Sequence, residues 1–452
     1  MKNYRIIFTL LAGMLVLNSC NDYLNLTPIS EIGSNGFYAN TEQVEAGVVA
    51  VYDGLQTMVQ TEYALTELRS DNSKTRTREG EYAQFETMNV DPGNSIITAY
   101  WANNYNVIYR ANIVLENLGA VSNAAKKSQF EGEAKFARAL CHFNLVQAFG
   151  NVPLIKQVVT TSDVDLFTQT AKKDVLSAIV SDLKDAANLL PARAGIAEGR
   201  ATKGAANALL GRVYLTSGDY AAAKASLDAV NVADYSLMPV YNDVFYKERG
   251  KEVIFAIQFI NDNANDSEGF SLDFTSKGRV TGVNLATDDL MAVVDAADKR
   301  KSTLFFFETA ISKWTCGKFL ANSTSTALAG NDWIVIRYAD VLLMQVEAIM
   351  AGNASTTDAA ALTAFNAIRT RAGMPTVTTI TKADLLKERR IEFAFENQRL
   401  YDLVRLGAAD ATMSSFSAKT EANFTYKPTS LLLPIPQREM NLFKFTQNPG
   451  YN

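Results

Sequence analysis

Hydrophobic residues recur every three to four positions along much of this chain, the spacing that places them on one face of an α-helix. Such patterns cover residues 41–58, 100–118 and 129–149, and the last one stops at the turn-forming residues 150–153 (GNVP). Thr41 stands at the start of the first pattern and is the expected N-cap. The chain is therefore predicted to be mainly α-helical.

Residues 202–230 have the spacing of a tetratricopeptide repeat, which is a pair of antiparallel helices. The sequence LGxxY at 210–214 is followed by GDY at 218–220 and then by Ala223 and Leu227. The small residues in this pattern allow two helices to approach closely. The pattern predicts a right-handed helical-repeat scaffold with a few repeats rather than a long solenoid.

The helical pattern is lost between residues 235 and 332, where VIFAIQF (253–259) is typical of a short strand. The following residues, 261–269 (NDNANDSEG), are rich in Asn and Asp. A calcium site there would lack the closing glutamate of a calcium-binding loop, so a solvated turn is the preferred interpretation. This loop-rich segment is the expected place for ligand contacts. Helical patterns are predicted to resume at Trp333 and to continue to residue 407.

Residues 385–407 (LLKERRIEFAFENQRLYDLVRLG) are predicted to form one helix of roughly six turns. Leu386, Phe393, Leu400 and Val404 share one apolar stripe, and a charged band runs beside it. Such a helix is expected to be central, with its charges paired locally. Acid–base catalysis is the alternative role for the clustered glutamates, but their i, i+4 spacing beside arginines favours a structural helix with ion pairs.

The composition favours a folded binding protein over an enzyme. The chain has 452 residues, 48% of them hydrophobic, with a formal net charge of −5, so it can form a large core but lacks the basic density that nucleic acid requires. His142 is the only histidine, which argues against histidine-based metal sites and catalytic triads. No phosphate-binding glycine loop or nucleophile elbow is present, and no cofactor is expected. Cys141 and Cys316 are predicted to be free buried thiols.

The first 19 residues are predicted to be a signal peptide. Residues 6–17 form an apolar run that is too short to span a bilayer comfortably. The sequence LNSC at 17–20 resembles a lipobox, in which Cys20 would be acylated, with palmitate among the chains, and become the first residue of a lipoprotein. An ordinary signal peptide with a chance cysteine is the alternative. Residues 20–40 are polar and are predicted to form a tether.

Four ordered motifs resemble the SusD/RagB family of nutrient-binding lipoproteins on the outer membrane of Bacteroidetes-type bacteria. They are RYADVLLMQVEA at 337–348, NAIRTRAGMP at 366–375, ERRIEFAFENQRLYDLVRLG at 388–407 and QNPGY at 447–451. The resemblance spans nearly the whole chain. It implies a mainly α, tetratricopeptide-like helical-repeat scaffold with an irregular, loop-rich segment that carries short β-strands.

The resemblance implies one SusD-like domain over residues 41–452, helical at 41–234 and 333–452 and loop-rich at 235–332. It also implies capture of an oligosaccharide on the outside of the outer membrane and delivery to a SusC-like, TonB-dependent β-barrel transporter. RagB-type relatives handle peptides, so a peptide ligand is an alternative. A tetratricopeptide adaptor that binds another protein is a further alternative, whereas a hydrolase is disfavoured by the missing histidines and motifs.

Sugar binding requires aromatic faces for the apolar side of a pyranose and Arg, Asn or Asp side chains for its hydroxyl groups. Side chains of these types occur in and after the first polar loop (69–80) and in the loop-rich segment. The candidates are Asp71, Asn72, Arg76, Tyr82, Tyr100, Trp101, Arg279 and Trp314. Trp314 is the preferred exposed aromatic because its neighbours at 312–315 are polar. Trp101 has core packing in its helix as its alternative role, and Trp333 is expected to be packed at the start of a helix.

Overall fold

The structure is a computed structural model that describes residues 37–278, 280–321, 327–422 and 424–451. The predicted signal peptide, Cys20 and almost all of the predicted tether lie outside the described residues, as does Arg279. Within the described residues the chain is mainly helical and its strands are short, so the predicted fold class is confirmed.

The α-helices and β-strands follow one another in a mixed order. The helices are α1 (Thr41–Val59), α2 (Glu62–Thr66), α3 (Gly80–Glu86), α4 (Ser95–Glu116), α5 (Ala124–Phe149), α6 (Lys172–Leu189), α7 (Lys203–Ser217), α8 (Tyr220–Asp228), α9 (Asp243–Tyr246), α10 (Phe270–Asp273), α11 (Asp288–Val293), α12 (Lys301–Leu304), α13 (Tyr338–Met350), α14 (Ala359–Arg371), α15 (Lys382–Glu392), α16 (Arg399–Arg405), α17 (Ala409–Ser417) and α18 (Gln437–Leu442). The strands are β1 (Ser73–Lys74), β2 (Val152–Pro153), β3 (Gln169–Thr170), β4 (Val253–Ile257), β5 (Leu285–Ala286), β6 (Phe305–Glu308), β7 (Lys313–Cys316), β8 (Trp333–Arg337), β9 (Ser355–Thr356) and β10 (Ile380–Thr381).

The N-terminal half is a row of long helices that pack one against the next. α1 packs against α4, and α4 to α8 then pack in succession. α7 and α8 are the predicted tetratricopeptide pair, and Gly218 turns the chain between them at φ 77°. A Cβ on Gly211 would lie 2.5 Å from the Leu227 side chain, so a larger residue there would push the two helices apart. The predicted helical repeat is confirmed.

The first helix starts one residue away from its predicted cap. Asn40, not Thr41, is the N-cap of α1, because its side chain accepts the backbone N–H of Gln43 at 3.0 Å. α5 ends at Phe149 as predicted, and Gly150 follows it at φ 77°. The chain thus leaves α5 through a backbone conformation that glycine adopts readily.

Residues 333–337 form a strand, so the prediction that a helix resumes at Trp333 was wrong. β8 pairs antiparallel with β4, in a register that sets Trp333 opposite Ile257 and Arg337 opposite Val253. The reason lies in the sequence WIVIR, whose β-branched residues suit a strand and of which Ile334 and Ile336 are buried beside a complementary strand. Trp333 is packed, as expected, and its ring stacks on Phe319 at 4.9 Å.

The predicted single helix over residues 385–407 is two helices, α15 and α16, with a break between them. Phe395 and Asn397 lie in this break at φ 66° and φ 60°, which no continuous helix allows. Phe393 and Leu400 are buried as predicted, but Val404 is exposed. The break turns the side chains that follow Glu392 toward other parts of the chain rather than along one helix.

These side chains belong to a buried ionic cluster at the centre of the C-terminal half. Its members are Glu252, Asp298, Arg300, Lys318, Arg337, Arg371, Glu388, Glu392 and Glu396. Glu392 accepts from Arg300 at 2.8 Å and from Arg337 at 2.5 Å, and Glu396 accepts from Lys318 at 2.6 Å. The segment is central, as predicted, but most of its ionic partners come from distant parts of the chain, so the prediction of local pairing was wrong for them.

The main hydrophobic core is formed by the N-terminal helices together with β4, β8 and the segment around Phe445. A smaller apolar cluster lies between α13, α14 and α15. In the ranges that the structure describes, we find no helix with both the length and the apolar character needed to span a bilayer.

Candidate ligand-binding site

A four-stranded antiparallel sheet, in the order β1-β5-β7-β6, brings two regions of candidate residues together. β1 lies within the first polar loop (69–80), and its Ser73 is opposite Ala286 of β5. Leu285 of β5 lies opposite Thr315 of β7, which is the strand that carries Trp314. The polar loop near residue 76 and the Trp314 strand therefore lie on one structural unit, although they are far apart in sequence.

Trp314 and Phe307 form an exposed aromatic pair on the hairpin of β6 and β7. They are cross-strand partners, and their ring centroids are 5.1 Å apart at an angle of 63°. Trp314 is 44% exposed and Phe307 is 42% exposed, which is high for aromatic rings of this size. The predicted exposure of Trp314 is confirmed, whereas its role in binding stays a prediction. We call Trp314 and Phe307 the aromatic platform.

Arg76 lies beside the turn of this hairpin. Its backbone N–H donates to Gly282 at 2.9 Å, and its guanidinium donates to the Thr281 hydroxyl at 3.2 Å. Gly282 has φ 68°, and a Cβ there would lie 3.1 Å from Ile311 and 3.2 Å from Arg76, so glycine suits both the backbone and the space. Arg76 is exposed, which leaves guanidinium donors for hydroxyl groups of a ligand.

Asp71 and Asn72 are buried, in contrast to the prediction that they lie in a solvated loop. Arg399 donates two hydrogen bonds to the Asp71 carboxylate, at 2.7 and 2.8 Å, and Arg390 donates to the Asn72 side chain at 2.9 Å. Burial alone would raise the pKa of Asp71, but the Arg390 and Arg399 guanidiniums outweigh it and lower the pKa to about 2. Both side chains are committed to the interior and offer no surface to a ligand.

Tyr100 and Trp101 are also buried, so neither ring is available for stacking. Trp101 packs against Phe149 at 5.0 Å, which is the core role that its helix also allowed. Tyr82 is half-buried, and its ring stacks on Tyr63 at 5.8 Å and 4°, so one of its faces is covered. Of the candidates that the structure describes, Arg76, Tyr82 and Trp314 keep some exposed surface.

Sequence reasoning missed Phe307 and its neighbour Phe306, which is 37% exposed. Consecutive residues of a strand point to opposite faces, so Phe306 does not belong to the same face as the aromatic platform. The run of phenylalanines at 305–307, followed by polar residues and a second short strand pattern at 313–316, was the available signal for a hairpin with exposed rings.

The two described cysteines and His142 are held in unreactive environments. Cys141 and Cys316 are free and buried, as predicted. Burial raises the pKa of the Cys316 thiol to about 12. Burial lowers the pKa of His142 to about 4, and its ring lies 3.0 Å from the Arg138 carbonyl and accepts the Ile155 N–H at 3.3 Å. The described residues also contain no cluster of three or more His, Cys, Asp or Glu side chains suited to a metal ion.

Two family models match this chain. Residues 296–451 match the model described as the SusD family, and residues 22–215 match the model described as "Starch-binding associating with outer membrane". Together the two matches cover most of the chain and leave residues 216–295 between them.

Relatives with SusD-like names match most or all of the chain. The chain is 27% identical to SusD-like protein P2 of Formosa agariphila, with all of both chains covered, and 26% identical to a SusD-like protein of Bacteroides ovatus, with 86% of this chain and 80% of that one covered.

Among solved structures, a laminarin-binding SusD-like protein matches with a TM-score of 0.79 and 27% identity, covering 92% of this chain and all of its own. Surface glycan-binding protein A of Bacteroides thetaiotaomicron has the same fold, with a TM-score of 0.78 and 21% identity over 91% of this chain and all of its own. The motifs, the helical-repeat architecture and these matches lead to one conclusion: the chain belongs to the SusD/RagB family.

Proposed function

We propose that this protein captures an oligosaccharide through the aromatic platform at the surface of the outer membrane. The exposed Trp314–Phe307 pair is the observation that carries the proposal, because exposed aromatic rings offer the flat apolar surface on which a pyranose stacks. Arg76 lies beside the hairpin turn and supplies donors for hydroxyl groups. The laminarin-binding relative and the starch-binding description of the N-terminal family model support a carbohydrate ligand. The protein acts by binding and not by catalysis.

The ligand class is tested by calorimetric titration against matched panels of oligosaccharides and peptides. We expect a glycan to bind, with laminarin-derived oligosaccharides as the first choice because a relative is named for laminarin. Ligand binding at the platform should also change the tryptophan fluorescence. Binding of peptides with no response to any glycan would overturn the proposal in favour of peptide capture.

We further propose that the captured ligand passes to a TonB-dependent β-barrel transporter in the same membrane. Membership of the family supports this partner. The test is co-purification of the tagged protein from detergent-solubilised outer membranes, with a periplasmic binding protein carrying the same tag as the control. Recovery of a TonB-dependent barrel with this protein alone is the expected result, and its absence under gentle extraction would contradict the partnership.

We propose that lipid on Cys20 attaches the protein to the membrane, because Cys20 follows the lipobox-like sequence LNS. Cys20→Ala should release the protein from membranes without lowering its melting temperature, since residues 21–40, which are mostly polar, separate it in sequence from the first helix. Cys141→Ala changes a buried cysteine and serves as the control that stays anchored. If the Cys20→Ala protein still sediments with outer membranes in high salt, the anchor lies elsewhere.

A further inference from the structure

A cavity lies away from the aromatic platform, between the helical repeat and the two-stranded ribbon of β4 and β8. Its empty volume is about 910 Å³, a figure that includes its open mouth. The floor is one face of the ribbon, where Ile254 and Ala256 of β4 lie beside Ile334 of β8, and Ala256 is paired with Ile334. Tyr235 and Tyr246 contribute to its walls. An apolar floor with a few polar groups at its edge is the usual composition of a small-molecule site.

One side of this cavity is closed by the segment between α6 and α7, residues 191–200, which we call the strap. Arg193 ties the beginning of the strap to the neighbouring segment, because its guanidinium donates to the backbone carbonyls of Asp234, Arg249, Gly250 and Val253 at 3.0 to 3.4 Å. The donors of Arg193 that face these carbonyls are therefore committed and do not offer a site for an anion.

The other end of the strap is held by Arg200, which pairs with Glu133 at 3.3 Å and with Glu45 at 3.2 Å. Gly199 has φ 84°, and a Cβ there would lie 2.1 Å from the Gln258 side chain, so the strap closes tightly on the ribbon at this point. The strap is thus fixed at both ends, and its middle covers the cavity.

The mouth is crossed by the ion pair of Glu198 and Arg249 at 2.9 Å. Both side chains are largely exposed, and exposed pairs contribute only about 0–1 kcal/mol to stability. Opening this pair to admit a ligand therefore costs little, whereas the ends of the strap remain in place.

Two carboxylates at the cavity have no ionic partner among the described residues. Asp332 accepts the backbone N–H of Phe259 at 3.0 Å and forms no ion pair. Glu248, at the rim, forms no ion pair either. Burial raises the pKa of Asp332 to about 6, and the Glu248 carboxylate adds to the increase; the Phe259 N–H and the Arg249 guanidinium at the mouth offset only part of it. A positive charge in the cavity would satisfy both carboxylates.

We propose that this cavity is a second ligand site, separate from the aromatic platform, which binds a small organic ammonium ion. The ammonium group would lie against Asp332 and Glu248, and the apolar body would lie on the floor formed by Ile254, Ala256 and Ile334. The exposed Tyr246 ring in the wall suits a cation as well, because aromatic faces attract positive charge, whereas the buried Tyr235 ring already has the Arg193 guanidinium over it at 5.3 Å. None of these residues takes part in the aromatic platform, so the two sites are independent.

The probe is cyclohexylamine, which is protonated at neutral pH, and its matched neutral control is cyclohexanol. We expect cyclohexylamine to bind with a Kd below about 1 mM, which corresponds to about −4.1 kcal/mol, and cyclohexanol to bind at least tenfold more weakly. Asp332→Asn should weaken the amine at least tenfold while keeping an oxygen for the Phe259 N–H. Glu248→Gln, at an exposed position, should have a smaller effect in the same direction.

Two controls separate this proposal from the proposed glycan function. Trp314→Ala should leave amine binding unchanged, and Ala256→Leu should abolish it by filling the floor, with the melting temperature confirming that the variant is folded. Equal binding of cyclohexanol would overturn the role of the carboxylates, and absence of binding by either probe would overturn the site. If the wild type binds the amine but no glycan, the proposed glycan function fails and the second site stands. If it binds a glycan but not the amine, the second site fails and the glycan function stands.

Discussion

The buried ionic cluster and the aromatic platform lie in the same C-terminal part of the chain but have opposite properties. The cluster takes charged side chains, which normally stay in water, and buries them completely. The platform takes aromatic side chains, which are normally buried, and exposes almost half of each. In the cluster most charges have more than one ionic partner, whereas the two platform rings lie 5.1 Å apart and leave much of their surface exposed.

This difference indicates how the family motifs should be interpreted. The residues that make the motifs conspicuous, such as Arg337, Glu392 and Glu396, are the ones that hold β8, α15 and the break after it in place. The platform residues Phe307 and Trp314 lie outside these motifs. We therefore expect the motifs to specify the scaffold, and we expect the ligand to be selected by residues outside them, as the proposed role of the platform requires.

The largest expected effect is on the cluster. Glu392→Ala should lower the free energy of unfolding by about 3–5 kcal/mol, because it leaves Arg300, Arg337 and Arg371 buried with one partner fewer. Chemical denaturation of the variant and the wild type provides the measurement. Glu116→Ala, at an exposed glutamate near the end of α4, is the matched control with little change.

Ligand affinity in the folded fraction of the Glu392→Ala protein should be nearly unchanged. A stable Glu392→Ala protein that has lost binding would place the cluster in the site and would remove the contrast between the two regions. Arg399→Ala removes the two hydrogen bonds that Arg399 donates to Asp71, and it should likewise lower the free energy of unfolding while leaving ligand affinity nearly unchanged.

A second prediction distinguishes buried carboxylates that have arginine partners from those that do not. Glu67 is buried and has no arginine partner among the described residues; it accepts the Asn397 N–H at 2.9 Å and the Asn72 amide at 3.2 Å, and burial raises its pKa to about 7. A raised carboxyl pKa gives stability that is complete below the unfolded pKa, near 4.5, and is lost as the pH rises to about 7. Glu67→Gln should therefore stabilise the protein by on the order of 1–3 kcal/mol at pH 8.

The same Glu67→Gln protein should match the wild type in stability near pH 5, because glutamine imitates the protonated acid. Asp71, with its arginine partners, has the opposite behaviour: its lowered pKa of about 2 gives stability that is lost only as the pH falls from 3.8 toward 2. Thermal unfolding at a series of pH values tests both. An equal effect of Glu67→Gln at pH 5 and pH 8 would show that titration of Glu67 is not the cause.

A third prediction tests the platform directly. Trp314→Ala should weaken glycan binding at least tenfold, about 1.4 kcal/mol, with little change in melting temperature, because hydroxyl hydrogen bonds net only about 0.5–1.5 kcal/mol each and stacking supplies the rest. Calorimetric titration with the glycan found in the panel is the measurement. Tyr109→Ala, at an aromatic of similar exposure on α4, is the control. Equal affinities of the Trp314→Ala protein and the wild type would move the site to Arg76 and Tyr82.

The smallest expected effect compares the two faces of β6. Phe307→Ala should weaken the glycan roughly threefold, since Phe307 offers a smaller ring and supports Trp314 from the side. Phe306→Ala, at a neighbouring ring of similar exposure on the other face, should leave the affinity unchanged. A larger effect at Phe306 than at Phe307 would place the ligand on the opposite face of the hairpin.

The sequence was sufficient for helices α1, α4 and α5, the tetratricopeptide pair and the exposure of Trp314, because these depend on local periodicity and on local neighbours. It was not sufficient for β8, where a partner strand about 80 residues away decides between strand and helix. It also failed for Asp71 and Asn72. Their polar neighbours are typical of a surface loop, and the arginines that bury them are more than 300 residues away in the sequence.

The break between α15 and α16 was missed for the same reason. The periodicity of residues 385–407 fits one helix, but a continuous helix would not bring Glu396 to Arg337 and Lys318. The break at Phe395 and Asn397 places Glu396 beside both partners, and the Asn397 N–H donates to Glu67 there. For the candidate site, the pairing of Phe307 with Trp314 depended on the register of a hairpin, which a single sequence does not specify.

Labelling of the two buried thiols can measure which part of the protein opens first. Cys141 lies within α5, and Cys316 is the last residue of β7, opposite Phe305. Alkylating reagents attack the thiolate, which neither cysteine forms while it is buried, so each reacts only when its own surroundings open. The labelling rate of Cys141 then times the opening of the helical core, and that of Cys316 times the opening of the sheet that carries the aromatic platform. Equal rates would mean that the two regions open together, and a faster Cys316 would mean that the sheet can detach while the helices stay folded.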